Sequence, residues 1–191
     1  MRGRAKRVLG MSPDAPPRTL IAGVGNIFLG DDGFGIEAVR RLSAHPLPEH
    51  VEIVDAGIRG VHLAYQMLDG YHTVLLVDAT ARGGAPGTVY LLDATDPAPA
   101  PAAPHPAAMD AHHMTPDSVL ALLDTLSAGT GSSRPQRVLV VGCEPADVEE
   151  RMGLSEPVAA AVDEAVELVL RLVGGAEPAA ADTPPTSATH H

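Results

Sequence analysis

A chain of 191 residues is long enough for one domain with a substantial core, and its formal charge of −11 argues against nucleic acid and anionic membrane as partners. Hydrophobic residues make up 45%, yet there are only two Phe, three Tyr and no Trp, so the core must be built from Val, Leu, Ile and Ala. The single cysteine, Cys143, excludes an internal disulfide and fits a reducing cytoplasm, and no apolar stretch is long enough to span a bilayer.

Residues 1–17 carry Arg2, Arg4, Lys6 and Arg7 but lack the apolar segment of a signal peptide, and they read as a flexible leader. One domain is expected over 18–173. Leu20 to Val24 is an apolar run ending in Gly23-Val24-Gly25, the pattern of a buried strand stopping at a tight turn. From Gly35 the spacing becomes helical, with Ile36, Val39 and Leu42 on one side. Between them lie Gly30, Asp31, Asp32 and Gly33. A carboxylate before a helix can cap free N–H groups, which accounts for one aspartate but not for two among glycines. The dinucleotide fingerprint fails here, because Phe28 stands where its third glycine is needed. The loop reads instead as one that carries carboxylates toward a cation or a polar substrate.

A second strand is expected at Val51–Val54, running into Asp55, and a second helix over Val61–Leu68 with Val61, Ala64, Met67 and Leu68 inward. Val74 to Val77 is apolar throughout, as a strand covered on both faces should be, and ends at Asp78. Some nine residues then separate it from a strand at Thr88–Leu92, too few for a parallel crossover, so that strand should run antiparallel to the third. Residues 93–108 form a loop rich in Pro and Ala. His112 and His113 precede a third helix, capped by Thr115 with Pro116 at its first position and Val119, Leu122, Leu123 and Leu126 inward. A fifth strand, Val138–Val141, leads to Gly142-Cys143-Glu144-Pro145. The last helix starts at Ser155 and buries Val158, Val162, Val166, Val169 and Leu172; residues 174–191 read as a disordered tail.

This order predicts a three-layer α/β/α sandwich around a five-stranded, mostly parallel sheet with one antiparallel strand. Ligands bind such sheets at the carboxyl ends of the strands. Asp31, Asp32, Asp55, Asp78 and Glu144 all fall at or just past those ends, and the helix that follows His112 and His113 must begin at the same edge. Carboxylates with one imidazole suit a divalent metal with open positions. Plainer roles compete. Asp55 reads as a turn cap, Glu144 as solvated, and Cys143 as a buried structural thiol.

The stretch Gly23-Val24-Gly25-Asn26-Ile27-Phe28-Leu29-Gly30-Asp31-Asp32-Gly33-Phe34-Gly35 resembles the signature of the hydrogenase maturation endopeptidases. Agreement continues through Val54-Asp55-Ala56-Gly57, Val77-Asp78-Ala79, Pro86-Gly87-Thr88, His112, Val141-Gly142-Cys143-Glu144-Pro145 and Gly153-Leu154-Ser155, in order, over roughly residues 19–173. The resemblance implies a phosphorylase/hydrolase-like fold. It also implies an endopeptidase that removes a short C-terminal peptide from the nickel-loaded large-subunit precursor of a nickel-iron hydrogenase. By that resemblance Asp32, Asp78 and His112 contact nickel, carried by the precursor rather than held permanently, and are the catalytic and metal-site residues. His113 competes with His112 for that role. The expected protein is a cytoplasmic monomer whose partner is the hydrogenase precursor. Two other readings stay open: a metal-binding maturation module without proteolysis, and a small-molecule hydrolase on the same fold, which would need an anion pocket near Arg59 or Arg82. Whether nickel polarises the scissile carbonyl or a water attacks with carboxylate help is also left open.

Overall fold

Five strands, β1 (Thr19–Val24), β2 (Val51–Gly57), β3 (Thr73–Ala79), β4 (Val89–Asp93) and β5 (Arg137–Cys143), form one sheet of order β2-β1-β3-β5-β4. The computed structural model describes residues 16–96 and 115–174. The expected leader and tail therefore lie almost wholly outside the described residues. So do most of the Pro/Ala loop and both His112 and His113. Among the described residues four α-helices complete the fold: α1 (Phe34–Leu42), α2 (Gly60–Met67), α3 (Pro116–Thr130) and α4 (Glu156–Val173).

The strands β2, β1, β3 and β5 run parallel, and β4 pairs with β5 in the opposite sense. β4 thus runs antiparallel to β3, as its short connection demands, but does not pair with it. β5 lies between them because it is the more apolar strand: Val138 to Cys143 are buried, whereas no residue of β4 is fully buried. Side-chain alternation along the sheet divides the core in two. Ile21, Leu75, Val77, Leu139 and Val141 face α1 and α4. Leu20, Ala22, Val74, Leu76, Val138 and Val140 face α2 and α3.

Helix faces differ in detail from the expected ones. On α1 the buried set is Phe34, Gly35, Ala38, Val39 and Leu42, with Ile36 only half-buried. α2 begins at Gly60, which turns Leu63, Ala64 and Met67 inward and leaves Val61 exposed. α3 starts as expected. Thr115 Oγ1 accepts from Ser118 N at 3.3 Å while Thr115 N donates to Ser118 Oγ at 3.1 Å, a reciprocal cap ahead of Pro116.

One close approach holds the first strand and helix together. A Cβ on Gly35 would collide with the carbonyl oxygens of Val24 and Val77, and one on Gly23 would meet Gly35 O and come within 2.6 Å of Val39 Cγ2. The backbone of α1 therefore lies directly on β1 and β3, and the first turn of the helix is held next to the loop that bears the aspartates. Gly35→Ala is expected to cost about 3 kcal/mol of stability, because backbone rather than a flexible side chain would have to move. Urea unfolding checks this, and an unchanged midpoint would mean that the helix can lift off without penalty.

Candidate functional site

The turn after β1 is a single 3-10 turn, Gly30–Gly33, in which Asp32 N donates to Leu29 O at 3.1 Å. Gly30 enters it at φ +54, a left-handed conformation that favours glycine. The two adjacent aspartates leave this turn in different directions and do different work.

Asp31 is fully buried and reaches across to the segment between β5 and α4. Its Oδ1 accepts from Ser155 N at 2.6 Å. Its Oδ2 accepts from Ala146 N at 2.8 Å, Asp147 N at 3.3 Å and Ser155 Oγ at 2.8 Å. Arg151 stands 3.6 Å from Oδ1. Burial pushes this carboxyl up, but the bonds from Ser155, Ala146 and Asp147 outweigh it and leave the group below its ordinary value. Ser155 occupies the N-cap position of α4, yet its hydroxyl makes no capping bond and serves Asp31 instead.

Asp32 is half-buried, and its Oδ2 accepts from Asn26 N at 2.7 Å. Together with Asp78 it lines a cleft of about 630 Å³, whose other walls are Asn26, Phe28, Leu29, Ala79, Thr115 and the 148–152 segment. Asp78 is the last polar residue of β3, 2% exposed, and faces the α2/α3 side of the sheet with Leu76 and Val74. Its Oδ1 has no hydrogen-bond partner among the described residues. Desolvation raises its proton affinity well above the ordinary range, and the nearby negative charges of Asp32 and then Asp117 push the same way, against a weaker opposing bond from Ala79 N–H. Two carboxylates sharing a cleft, one of them buried with an oxygen unsatisfied, form a cation-seeking pair.

Of the expected site residues, Asp32 and Asp78 come together; His112 falls outside the described residues. Among the described residues no three His, Cys, Asp or Glu side chains meet in metal-binding geometry. Thr115, three positions after His112, lines the cleft beside both aspartates. Asp55 stays exposed, with its carbonyl accepting from the Arg59 guanidinium, and takes no part in the cleft. Cys143 is buried, and burial followed by the charges of Asp31 and Glu144 pushes its thiol up to about 12, which disfavours the thiolate a nucleophile needs.

Glu144 is a correction. Expected to be solvated, it is instead buried and accepts from Arg82 N at 2.8 Å, Gly83 N at 3.1 Å and Tyr90 Oη at 2.9 Å. These bonds, that from Arg82 foremost, hold its carboxyl below the ordinary value and fasten the 80–88 loop onto β5. Gly83 and Gly84 in that loop were the available signal, since both let the backbone come close to a carboxylate. A second feature missed from sequence is Arg151. It is the one cation lining the cleft among the described residues, and it is held by Asp147 through two 3.1 Å bonds. Neither Arg59 nor Arg82 lines this cleft.

Comparison with known proteins agrees with this architecture. Residues 36–172 match the family model described as HycI, hydrogenase maturation protease. A putative hydrogenase maturation protease of Methanocaldococcus jannaschii is 34% identical over 157 residues, 79% of this chain and 93% of that protein. The hydrogenase 2 maturation protease of Escherichia coli is 34% identical over 157 residues, covering 80% of this chain and 88% of its own length. Among solved structures, the hydrogenase maturating endopeptidase HybD from E. coli superposes with a TM-score of 0.64 at 33% identity, over 82% of this chain and 92% of that one. Family match, identity and shared fold together carry the conclusion that this chain belongs to the hydrogenase maturation protease family and is a peptidase.

Proposed function

We propose that this peptidase removes a C-terminal peptide from the large-subunit precursor of a nickel-iron hydrogenase, gripping nickel already seated in that precursor through Asp32, Asp78 and His112. The observation that carries the reading is the buried Oδ1 of Asp78, without a partner among the described residues, in the same cleft of about 630 Å³ as Asp32. A divalent cation would supply the missing partner for that oxygen and cancel the repulsion between the two carboxylates. Two oxygen donors and an imidazole suit nickel, and they leave its remaining positions to ligands from the precursor. His112 lies three residues before Thr115, a span of about 10 Å at full extension, which is within reach of a cleft that Thr115 itself lines. A precursor without nickel would offer the carboxylates nothing to hold, so cleavage would wait for metal insertion. The peptide bond would lie along the cleft while the metal-loaded end is held at its base. This work belongs in the cytoplasm, and it asks for no second copy of the chain.

The test is cleavage of precursor with and without nickel, followed by a shift in the large subunit's mass. The tail histidines His190 and His191 are removed first, because they can bind free metal. Nickel-loaded precursor should be shortened and empty precursor left intact. His112→Ala should lose processing by a factor of about 10² or more, and His113→Ala should retain most of it. The reverse result moves the ligand by one residue. Activity in both variants removes this segment from the metal site. A protein that binds loaded precursor without cutting it would favour a maturation module instead.

A further inference from the structure

Most large apolar side chains of the described residues are buried, but three of the most exposed ones share the wall of the carboxylate cleft. Phe28 is 61% exposed, Val148 53% and Met152 73%. They come from two segments far apart in sequence, the turn after β1 and the stretch between β5 and α4. Those segments are fastened to each other backbone to backbone. Arg151 N donates to Phe28 O at 3.0 Å, Gly30 N donates to Arg151 O at 2.9 Å, and Leu29 and Arg151 form a parallel bridge. Asp31 and the Arg151–Asp147 pair brace the same junction from beneath. Three apolar side chains thus stand in water on a junction that is already ordered, which is how a preorganised docking surface is built.

Resting on the function proposed above, we infer that Phe28, Val148 and Met152 form a lip that grips an apolar side chain of the extended precursor segment beside the scissile bond. Glu150 in the same wall disfavours an acidic side chain there. Charge favours this occupant over others. Asp32 and Asp78 are taken up by the metal, Glu150 lines the cleft beside the lip, and Arg151 is committed to Asp147 and Asp31, so an acidic side chain at the lip meets Glu150 with no free cation of the lining to offset it. A second copy of this chain would bring another net charge of −11 and, in a two-fold contact, set one acidic cleft against the other. An extended peptide fits a concave site flanked by carboxylates and capped by apolar side chains. It presents backbone to the base and one side chain to the lip.

The experiment uses the full chain carrying Phe28→Ser and Met152→Ser, singly and together, with nickel-loaded hydrogenase large-subunit precursor as substrate. The double variant should raise KM by about tenfold and leave kcat within about twofold, because the lip acts on binding and not on the bond-breaking step. Thermal unfolding should hardly move, since exposed apolar side chains contribute little to the fold. Replacing the precursor residues next to the cut, one at a time, with Asp should raise KM for the wild type at the position the lip holds but add little in the double variant, the coupling expected of groups in contact. An unchanged KM, or a fall confined to kcat, overturns the lip. So does a concentration-dependent dimer of the wild type that the double variant abolishes. A wild type that binds loaded precursor but leaves it uncut defeats the proposed function instead. The lip then stands if the double variant binds that precursor about tenfold more weakly and falls if it binds equally.

Discussion

Asp78→Asn is expected to abolish processing of nickel-loaded precursor, with a loss of at least about 10³ in rate, while the variant protein becomes more stable at neutral pH. Both outcomes come from one fact, the burial of a carboxylate beside another carboxylate with one oxygen unpaired among the described residues. Asparagine keeps the size of the side chain and removes the charge that a metal would need. It also removes the cost of holding a desolvated anion near Asp32, a gain of about 1–3 kcal/mol. The pH dependence fixes the sign. The folded carboxyl holds its proton more tightly than the unfolded one, whose value is near the ordinary 3.8. Folding therefore takes up a proton above that pH, and wild-type stability declines as pH rises through the ordinary aspartate range up to the raised folded value. Asp78→Asn lacks this decline, so its advantage should be absent below about pH 4 and grow as pH rises toward the raised folded value. Urea unfolding at a series of pH values measures it. A variant that is less stable than wild type at pH 7 would mean that the carboxylate has a favourable partner after all. A variant that still cuts precursor would take Asp78 out of the site.

Much of this was legible in the chain. Apolar runs ending in Gly or Asp give every strand of the sheet, and the short link after Asp78 correctly implies that one strand runs backwards. Its place at the sheet's edge was not legible, because a connection length fixes direction but not which neighbour a strand pairs with. Burial of β5 decides that, and burial is a property of the assembled sheet. The carboxylates were visible as residues at strand ends, yet their roles depend on where each side chain points. Asp31 and Asp32 are neighbours with the same chemistry, and nothing local separates them. Only the fold shows that Asp31 meets the N–H groups of Ala146, Asp147 and Ser155, 115 to 124 positions away. Glu144 was misread for the same reason. Its partners are backbone N–H groups 61 and 62 positions earlier; Gly83 and Gly84 signal that a backbone can come close there, but not which carboxylate it meets.

The neighbouring aspartates should therefore separate cleanly under mutation. Asp31→Asn is expected to cost about 3–5 kcal/mol of stability, and Asp32→Asn little. The Asp31 carboxylate accepts four bonds from three residues, and an amide offers only one acceptor oxygen in their place. Its NH₂ would face either Ser155 N–H at one side or Ala146 N–H at the other, leaving a buried donor without an acceptor. The pH signature is opposite to that of Asp78. Hydrogen bonds hold the folded Asp31 carboxyl below its ordinary 3.8. The stability it contributes is thus complete above that value and is lost as pH falls through the lowered folded one. Wild type should lose part of its stability on acidification that Asp31→Asn never had, so the two unfolding curves converge toward low pH. Function should follow the same geometry. Asp31 braces the junction that bears Phe28, Val148 and Met152, so the surviving folded variant should show a raised KM for precursor at a temperature well below its midpoint. Asp32→Asn, by contrast, should lose turnover in a protein as stable as wild type. A stable, fully acid-sensitive Asp31→Asn would show that the bonds to Ser155 and Ala146 do not hold the junction. An Asp32→Asn variant with normal turnover would break the pairing with Asp78 on which the metal grip depends.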